Sequence, residues 1–436
     1  MALPHADTTA GLLALMDSRP GQVVRALVGL VVFILIAWVI SERRRAFPWK
    51  AVAVGIFSQF ALALLLTCVP AVTAVLGGIT HGVDLVQASA TAGATFVLGY
   101  LAGGPQPFLR APDAASTFIF AAQALPAVLL VSALSAVLWH WGVLRLVVRG
   151  AAWLFHRLFD VSGPVGVSVS ACIFLGMVEA PLLVRPLLPK LPRGDLFIIM
   201  VDGLSVIAGS MMILLGALLA PRVPGAFAHL LSASLISTPM AIGLARVMIP
   251  TEPMEADRLV LETPYRSALD AMTHGAINGL KVAAYIVALL IVFIGTISLV
   301  DALLAHVPLA GAPLSLGRIF GWLLAPVAWL MGIATTDLQT VGALLGTKVS
   351  LNEVVAYGRL IALPAGALQP RSLLIVTYAL CSFGNLGSVA ILVGTLTAMA
   401  PERAAEIVAL GFRALLAAFL TTCMTGTVIG LLAAVT

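Results

Sequence analysis

A chain of 436 residues that is 61% hydrophobic and 10% charged cannot wrap its apolar side chains inside a water-soluble fold, so the protein is integral to a membrane. The formal net charge of +5 would point to nucleic acid in a soluble chain; here the basic residues sort between two membrane faces, and no nucleic-acid partner is expected. The four cysteines, Cys68, Cys172, Cys381 and Cys423, lie within apolar segments at spacings that fit neither a zinc site nor a disulfide framework.

Residues 1–23 read as a short lead-in. A bilayer core of roughly 30 Å takes about 20 helical residues, and apolar runs of the needed character lie at 24–40, 51–75, 118–144, 197–220, 226–248, 281–304, 372–398 and 407–433. They are continuous rather than alternating, which excludes a β-barrel and leaves an all-α polytopic fold of eight transmembrane helices. The first run lacks an A-x-A-like cleavage site and is followed at once by "SERRRAFPWK", so it reads as a retained span. Residues 24–117 form the leading spans and connecting segment of a scaffold. The stretches 145–160 and 262–280 read as amphipathic interfacial helices. Within 249–280, Glu252, Glu255, Asp257, Arg258 and Glu262 mark the main hydrophilic loop. If the "RRR" after the first span is cytoplasmic, sixteen basic residues fall inside, among them Lys190 and Arg193. Eight fall outside, Lys348 among them, which puts both termini on the outer, periplasmic side of an inner membrane.

Two segments are too short to cross. Residues 163–190 begin and end on the same expected side, with Arg157 before and Lys190 after, and have a break at "GMVEAP"; each arm of about 13 residues spans roughly 20 Å, enough to reach the middle of the core. Residues 318–348 repeat the plan around a polar tip, "IATTD". Each re-entrant hairpin precedes a span with a Gly/Ser interruption: "SVIAGSMM" in 197–220 and "CSFGNLGS" in 372–398. This points to an inverted-repeat transporter with a midplane site, the first repeat at 118–248 and the second at 281–436; the alternative is eight plain spans with incidental glycines.

Three stretches carry a resemblance. "SACIFLGMVEAPLLVRP" is similar to the first hairpin of the concentrative nucleoside transporter family, usually an Asn-bearing arm before G-Q-T-E-[AS]-P-L-[LV]-V-[RK]-P. "GTKVSLNEVVAY" resembles the signature G-x-K-x-x-x-N-E-F-V-A-Y, with Val354 in place of phenylalanine, and "TYALCSFGNLGSVAILVG" resembles the final third. The resemblance runs from about residue 120 to the end. It implies a homotrimer in which a transport domain moves against a scaffold, importing a nucleoside with a coupling cation and no other cofactor.

An acid in mid-membrane costs about 2.5–3.5 kcal/mol on insertion scales, so Glu179 and Glu353 are functional candidates; the alternative for each is a helix cap or a buried ion pair. Glu353 can accept from two adjacent hydroxyls, which suits a ribose diol. The resemblance implies that Glu353, Asn385 and Ser388 contact the ribose, with Phe383 beside the ligand and Met177, Val178, Glu179 and Met211 completing the solute set. It also implies a cation site at Cys172, Leu175, Val206 and Ile207.

The departures matter. Met177 and Val178 stand where the family has Gln-Thr and cannot bond a nucleobase edge, so base selectivity is altered or the solute is a different small polar molecule. Cys172 and Val206 replace an asparagine and a hydroxyl residue, leaving a hard cation without side-chain oxygens and the sodium site degraded. Asp202, one and a half turns into its span, makes proton coupling the leading expectation; the alternative is an ion pair with Lys190 or Arg193. No H-E-x-x-H, G-x-S-x-G or Ser/His pairing supports an intramembrane enzyme. A non-concentrating receptor or channel on the same scaffold is the remaining alternative.

Overall fold

The computed structural model describes residues 18–108, 118–251, 263–309 and 311–435. Glu252, Glu255, Asp257, Arg258 and Glu262 of the expected loop, and most of the lead-in, lie outside them. The described residues are overwhelmingly helical, with one two-residue antiparallel ribbon, β1 (Pro308–Leu309) against β2 (Ala312–Pro313).

The leading helices are α1 (Arg19–Val39), α2 (Trp49–Cys68) and α3 (Pro70–Leu98), followed by α4 (Phe120–Gln123), α5 (Pro126–His140) and α6 (Val143–Phe159). Ser18 starts α1 by accepting from the Gly21 amide at 3.3 Å. The run expected at 51–75 ends at Cys68, because Pro70 has no amide to continue the ladder and instead opens α3. Eight described helices or helix pairs are long and apolar enough to cross a membrane, yet the set differs from the expected one. It includes 70–102, where Gly, Ser and Thr dilute the apolar signal, and lacks 372–398, which is two shorter helices.

Helix α7 (Gly163–Leu175) leads into a tip at Gly176, whose φ of 97° requires glycine, and α8 begins at Glu179. The returning arm is not a second 13-residue helix. Pro181, Pro186 and Pro189 restrict it to α8 (Glu179–Leu182) and a 3-10 turn at Arg185–Lys190. Next come α9 (Arg193–Ser205), α10 (Gly209–Leu219) and α11 (Ala226–Met248). Helix α12 (Ala268–Leu304) corrects the interfacial helix expected at 262–280: Ser267 accepts from the Asp270 amide, and no proline interrupts the next 37 residues. It lies tightly on α5, since a Cβ on Gly275 or Gly279 would come within 2.7 Å of that helix's backbone.

The last third holds α13 (Leu316–Leu330), α14 (Leu338–Ser350), α15 (Glu353–Ala362), α16 (Pro370–Leu380), α17 (Leu386–Met399) and α18 (Ala404–Val435). Helices α13 and α14 pack antiparallel through glycine, with Gly346 against the Phe320 side chain and Gly342 against the Gly321 carbonyl. The boundary 318–348 therefore encloses a helix pair but leaves Glu353 outside it. In length and in the place of the acid, α14–α15 resembles α7–α8. Each opens with a 13-residue helix, and each acid is the first residue of the helix after the turn. Arg359 donates to the Thr347 hydroxyl across the second turn at 2.9 Å.

Burial separates an inner bundle from an outer pair. The apolar windows of 193–219 and 401–434 are each 89% buried, whereas those of 70–102 and 268–304 are 11% buried. At one end, Glu42 accepts from Arg193 at 3.0 Å and Arg413 at 2.5 Å, Arg193 also reaches Glu406, and Arg403 holds the Leu188 and Leu191 carbonyls. Donation from Arg193, supported by the charges of Arg193 and Arg413, holds the Glu42 carboxyl below its ordinary range against the opposing effect of burial.

Candidate functional site

The two broken helices meet at their breaks. Helix α9 stops at Ser205 and α10 starts at Gly209; α16 stops at Leu380 and α17 starts at Leu386. Between them the Phe383 amide donates to the Val206 carbonyl at 3.2 Å, so each unwound strand satisfies part of the other. The first tip closes on the same place. A Cβ on Gly176 would sit 2.9 Å from the Ala208 side chain, and one on Gly203 would sit 3.2 Å from Met177 Cβ. Small residues at these positions let the tip and both breaks approach as one unit.

On the other side, Asn385 caps α17 by accepting from the Ser388 amide at 2.7 Å, while its Nδ2 donates to Glu353 Oε2 at 3.1 Å. Asn352 caps α15 by accepting from the Val355 amide at 2.9 Å. Glu353, Asn385 and Ser388 are all buried, so the motif's acid and the polar pair after the break form one cluster. Phe383 is half-buried beside it.

The first half differs. Met177 is buried over Gly203, while Val178 and Glu179 are half-buried at the tip. Met211 is buried in α10. Of the cation-site candidates, Cys172 is buried and its carbonyl already takes the Gly176 amide at 2.8 Å, and Leu175 ends α7. The Val206 carbonyl is engaged by Phe383, and the Ile207 amide donates to the Ser234 hydroxyl at 3.4 Å. Neither Cys172 nor Val206 brings a side-chain oxygen, so these donors fit a hard cation poorly. Asp202 is 1% exposed, and neither carboxylate oxygen has a hydrogen-bond partner among the described residues. The nearby Thr238 hydroxyl donates instead to the Ser234 carbonyl at 3.2 Å. The pairing of Asp202 with Lys190 or Arg193 is absent: Lys190 is exposed, and Arg193 is committed to Glu42 and Glu406.

Two residues of the outer set are buried within the protein, Arg25 at 3% exposure and Lys348. Lys348, assigned to the outer face, is fully buried; its Nζ donates to the Ala379 carbonyl and the Thr422 hydroxyl, each at 2.9 Å. The lysine of "GTK" inside an apolar helix was the available signal.

A helical membrane bundle in which two helices unwind where they cross, with acid-bearing turns placed at the breaks, has the architecture of a secondary transporter. Family models described as "Na+ dependent nucleoside transporter" match at residues 28–101 (N-terminus) and 229–430 (C-terminus), and one described as "Nucleoside recognition" matches at 121–222. NupX of Escherichia coli (strain K12) is 34% identical over 94% of this chain and 98% of its own. Nucleoside permease NupC of Helicobacter pylori is 30% identical over 93% and 97%. The structure of CNTnw in an inward-facing substrate-bound state superposes with a TM-score of 0.86 at 32% identity, covering 94% of this chain and 98% of that one. The chain belongs to the concentrative nucleoside transporter family.

Proposed function

We propose that this protein imports nucleosides across the cytoplasmic membrane by cation symport, with the proton favoured over sodium, through elevator-type alternating access. The observation that carries the solute assignment is the Asn385–Glu353 bond, which joins the second acid-bearing turn to the second break. A ribose diol would present paired hydroxyls to this carboxylate, with Ser388 alongside and Phe383 and Met177 as apolar walls. NupC of Helicobacter pylori, named a nucleoside permease, supports the substrate class. Both acid-bearing hairpins, α7–α8 and α14–α15, are read as re-entrant and as counterparts in an inverted repeat.

Proton coupling rests on Asp202. A buried carboxyl with no cation bonded to it among the described residues can bind and release a proton, whereas Cys172 and Val206 supply a sodium ion with no side-chain oxygen. A homotrimer is favoured by α3 and α12, which leave most of their apolar surface outside the protomer. The sorting of basic residues supports periplasmic termini for a chain placed in the inner membrane.

Uptake of labelled uridine and adenosine into proteoliposomes tests the reading, with a pH gradient imposed in one arm and a sodium gradient at fixed pH in the other. Accumulation in the first arm alone is expected. Accumulation driven by sodium at fixed pH defeats the proton assignment, and failure of both nucleosides to bind or accumulate defeats the substrate class.

A further inference from the structure

An α-helix ends with four carbonyls that lack intrahelical partners, and in a dry interior each must be satisfied. The four at the end of α16 are fully accounted for. Thr377 O accepts from the Tyr357 hydroxyl at 2.6 Å, Tyr378 O from the Cys381 amide at 3.2 Å, Ala379 O from Lys348 Nζ at 2.9 Å and Leu380 O from the Ser382 amide at 2.9 Å. Two of the four partners are side chains from the α14–α15 turn, and both belong to "GTKVSLNEVVAY". Lys348 stands five residues before Glu353 and Tyr357 four after it, so the segment that carries the acid also clamps the half-helix leading to Asn385.

A charge on Lys348 suits this place. The carbonyl end of a helix carries about half a negative charge, which favours a cation. The second acceptor, Thr422 Oγ1 on α18, gives its own proton to Phe419 O at 3.1 Å and so offers Lys348 a lone pair. The ammonium joins α14, α16 and α18 where no water reaches. The end of α9 differs: among the described residues no side chain donates to the carbonyls of residues 202–205, and the Ser205 hydroxyl turns back on Val201 O at 2.7 Å.

We propose that Lys348 is a positioning residue, a fixed internal cation at the carbonyl end of α16 that, with Tyr357, holds the unwound segment 381–385 so that Asn385 meets Glu353 in solute-binding geometry. This rests on the reading of Glu353 and Asn385 as solute contacts. Lys348→Met keeps volume but removes charge and donors, Lys348→Gln keeps a donor without charge, Tyr357→Phe removes one neutral bond, and Glu353→Ala serves as the control. Uridine and adenosine dissociation constants and solute-free melting temperatures are measured on the purified full-length protein in detergent. Lys348→Met is expected to raise the dissociation constant by about tenfold or more, since bonds to charged groups are the strong ones. Lys348→Gln should fall between Met and wild type, and Tyr357→Phe should raise it about two- to fivefold, with melting temperatures within a few degrees of wild type. Unchanged affinity in both lysine variants, or affinity lost only together with the folded elution profile in both, overturns the proposal. Should one lysine variant fail to fold, the other decides. Unchanged affinity in Glu353→Ala removes the underlying reading of the site, whereas loss there with normal lysine variants removes this proposal alone.

Discussion

Around Glu353 the polar groups interlock: Asn385 donates to its carboxylate, Asn352 caps its helix, and Lys348 and Tyr357 close the half-helix that leads to Asn385. At the first tip Glu179 follows Gly176, Met177 and Val178, with Ala208 packed on Gly176, and the acid in the adjoining helix, Asp202, has no hydrogen-bond partner among the described residues. The two turns share a plan and differ in chemistry. A satisfied polar network fixes geometry, which suits recognition of a shaped solute; an unsatisfied acid in apolar surroundings can change its protonation, which suits coupling.

The contrast can be broken at three points. Glu353→Ala leaves Asn385 Nδ2 unpaired in a buried site; a hydrogen bond to a charged group contributes about 1.5–3 kcal/mol, so nucleoside affinity should fall at least about tenfold in a direct binding assay. Asp202→Asn should spare binding and remove concentration: proteoliposomes under a pH gradient would reach only the equilibrium solute level. Undiminished accumulation by Asp202→Asn would move coupling elsewhere. Restoring polarity at the first tip with Met177→Gln and Val178→Thr together should change the ratio of dissociation constants among nucleosides that differ only in the base by about tenfold. A ratio unchanged by that pair would place base selection away from this tip.

The smallest effect lies outside the membrane core. Because the Glu42 carboxyl is held below its ordinary value of 4.5, chiefly by the Arg193 bond, the stabilisation is present above that ordinary value and is lost as pH falls through the lowered one. Solvent screening limits it to a few tenths of a kcal/mol. Glu42→Gln should therefore lower the melting temperature slightly at pH 7 and match wild type in strong acid.

Much of this could be read along the chain because its causes are local. Apolar runs announce spans, and the interruptions expected at 205–212 and 381–388 lie where the helices stop, since Gly and Ser weaken a helix wherever other groups can serve the freed backbone. The acids at Glu179 and Glu353 stood out against oil. The errors also have local causes. An apolar window sees through Pro70, so 51–75 merged the end of one helix with the start of the next. The polar break "IATTD" separates α13 from α14, whereas Glu353 opens the helix after the following turn.

Sequence alone determined that this is an all-helical membrane protein, which helices are interrupted, and which acids lie within the apolar segments. Those properties depend on composition over one or two turns of chain. Tertiary structure decided which groups answer each other: that Phe383 pairs with Val206, that Arg193 serves Glu42 and leaves Asp202 alone, and that Lys348 points into the core. A buried polar group is stable only beside its partner, and partners 177 residues apart in the chain, as Val206 and Phe383 are, become neighbours only when the bundle closes.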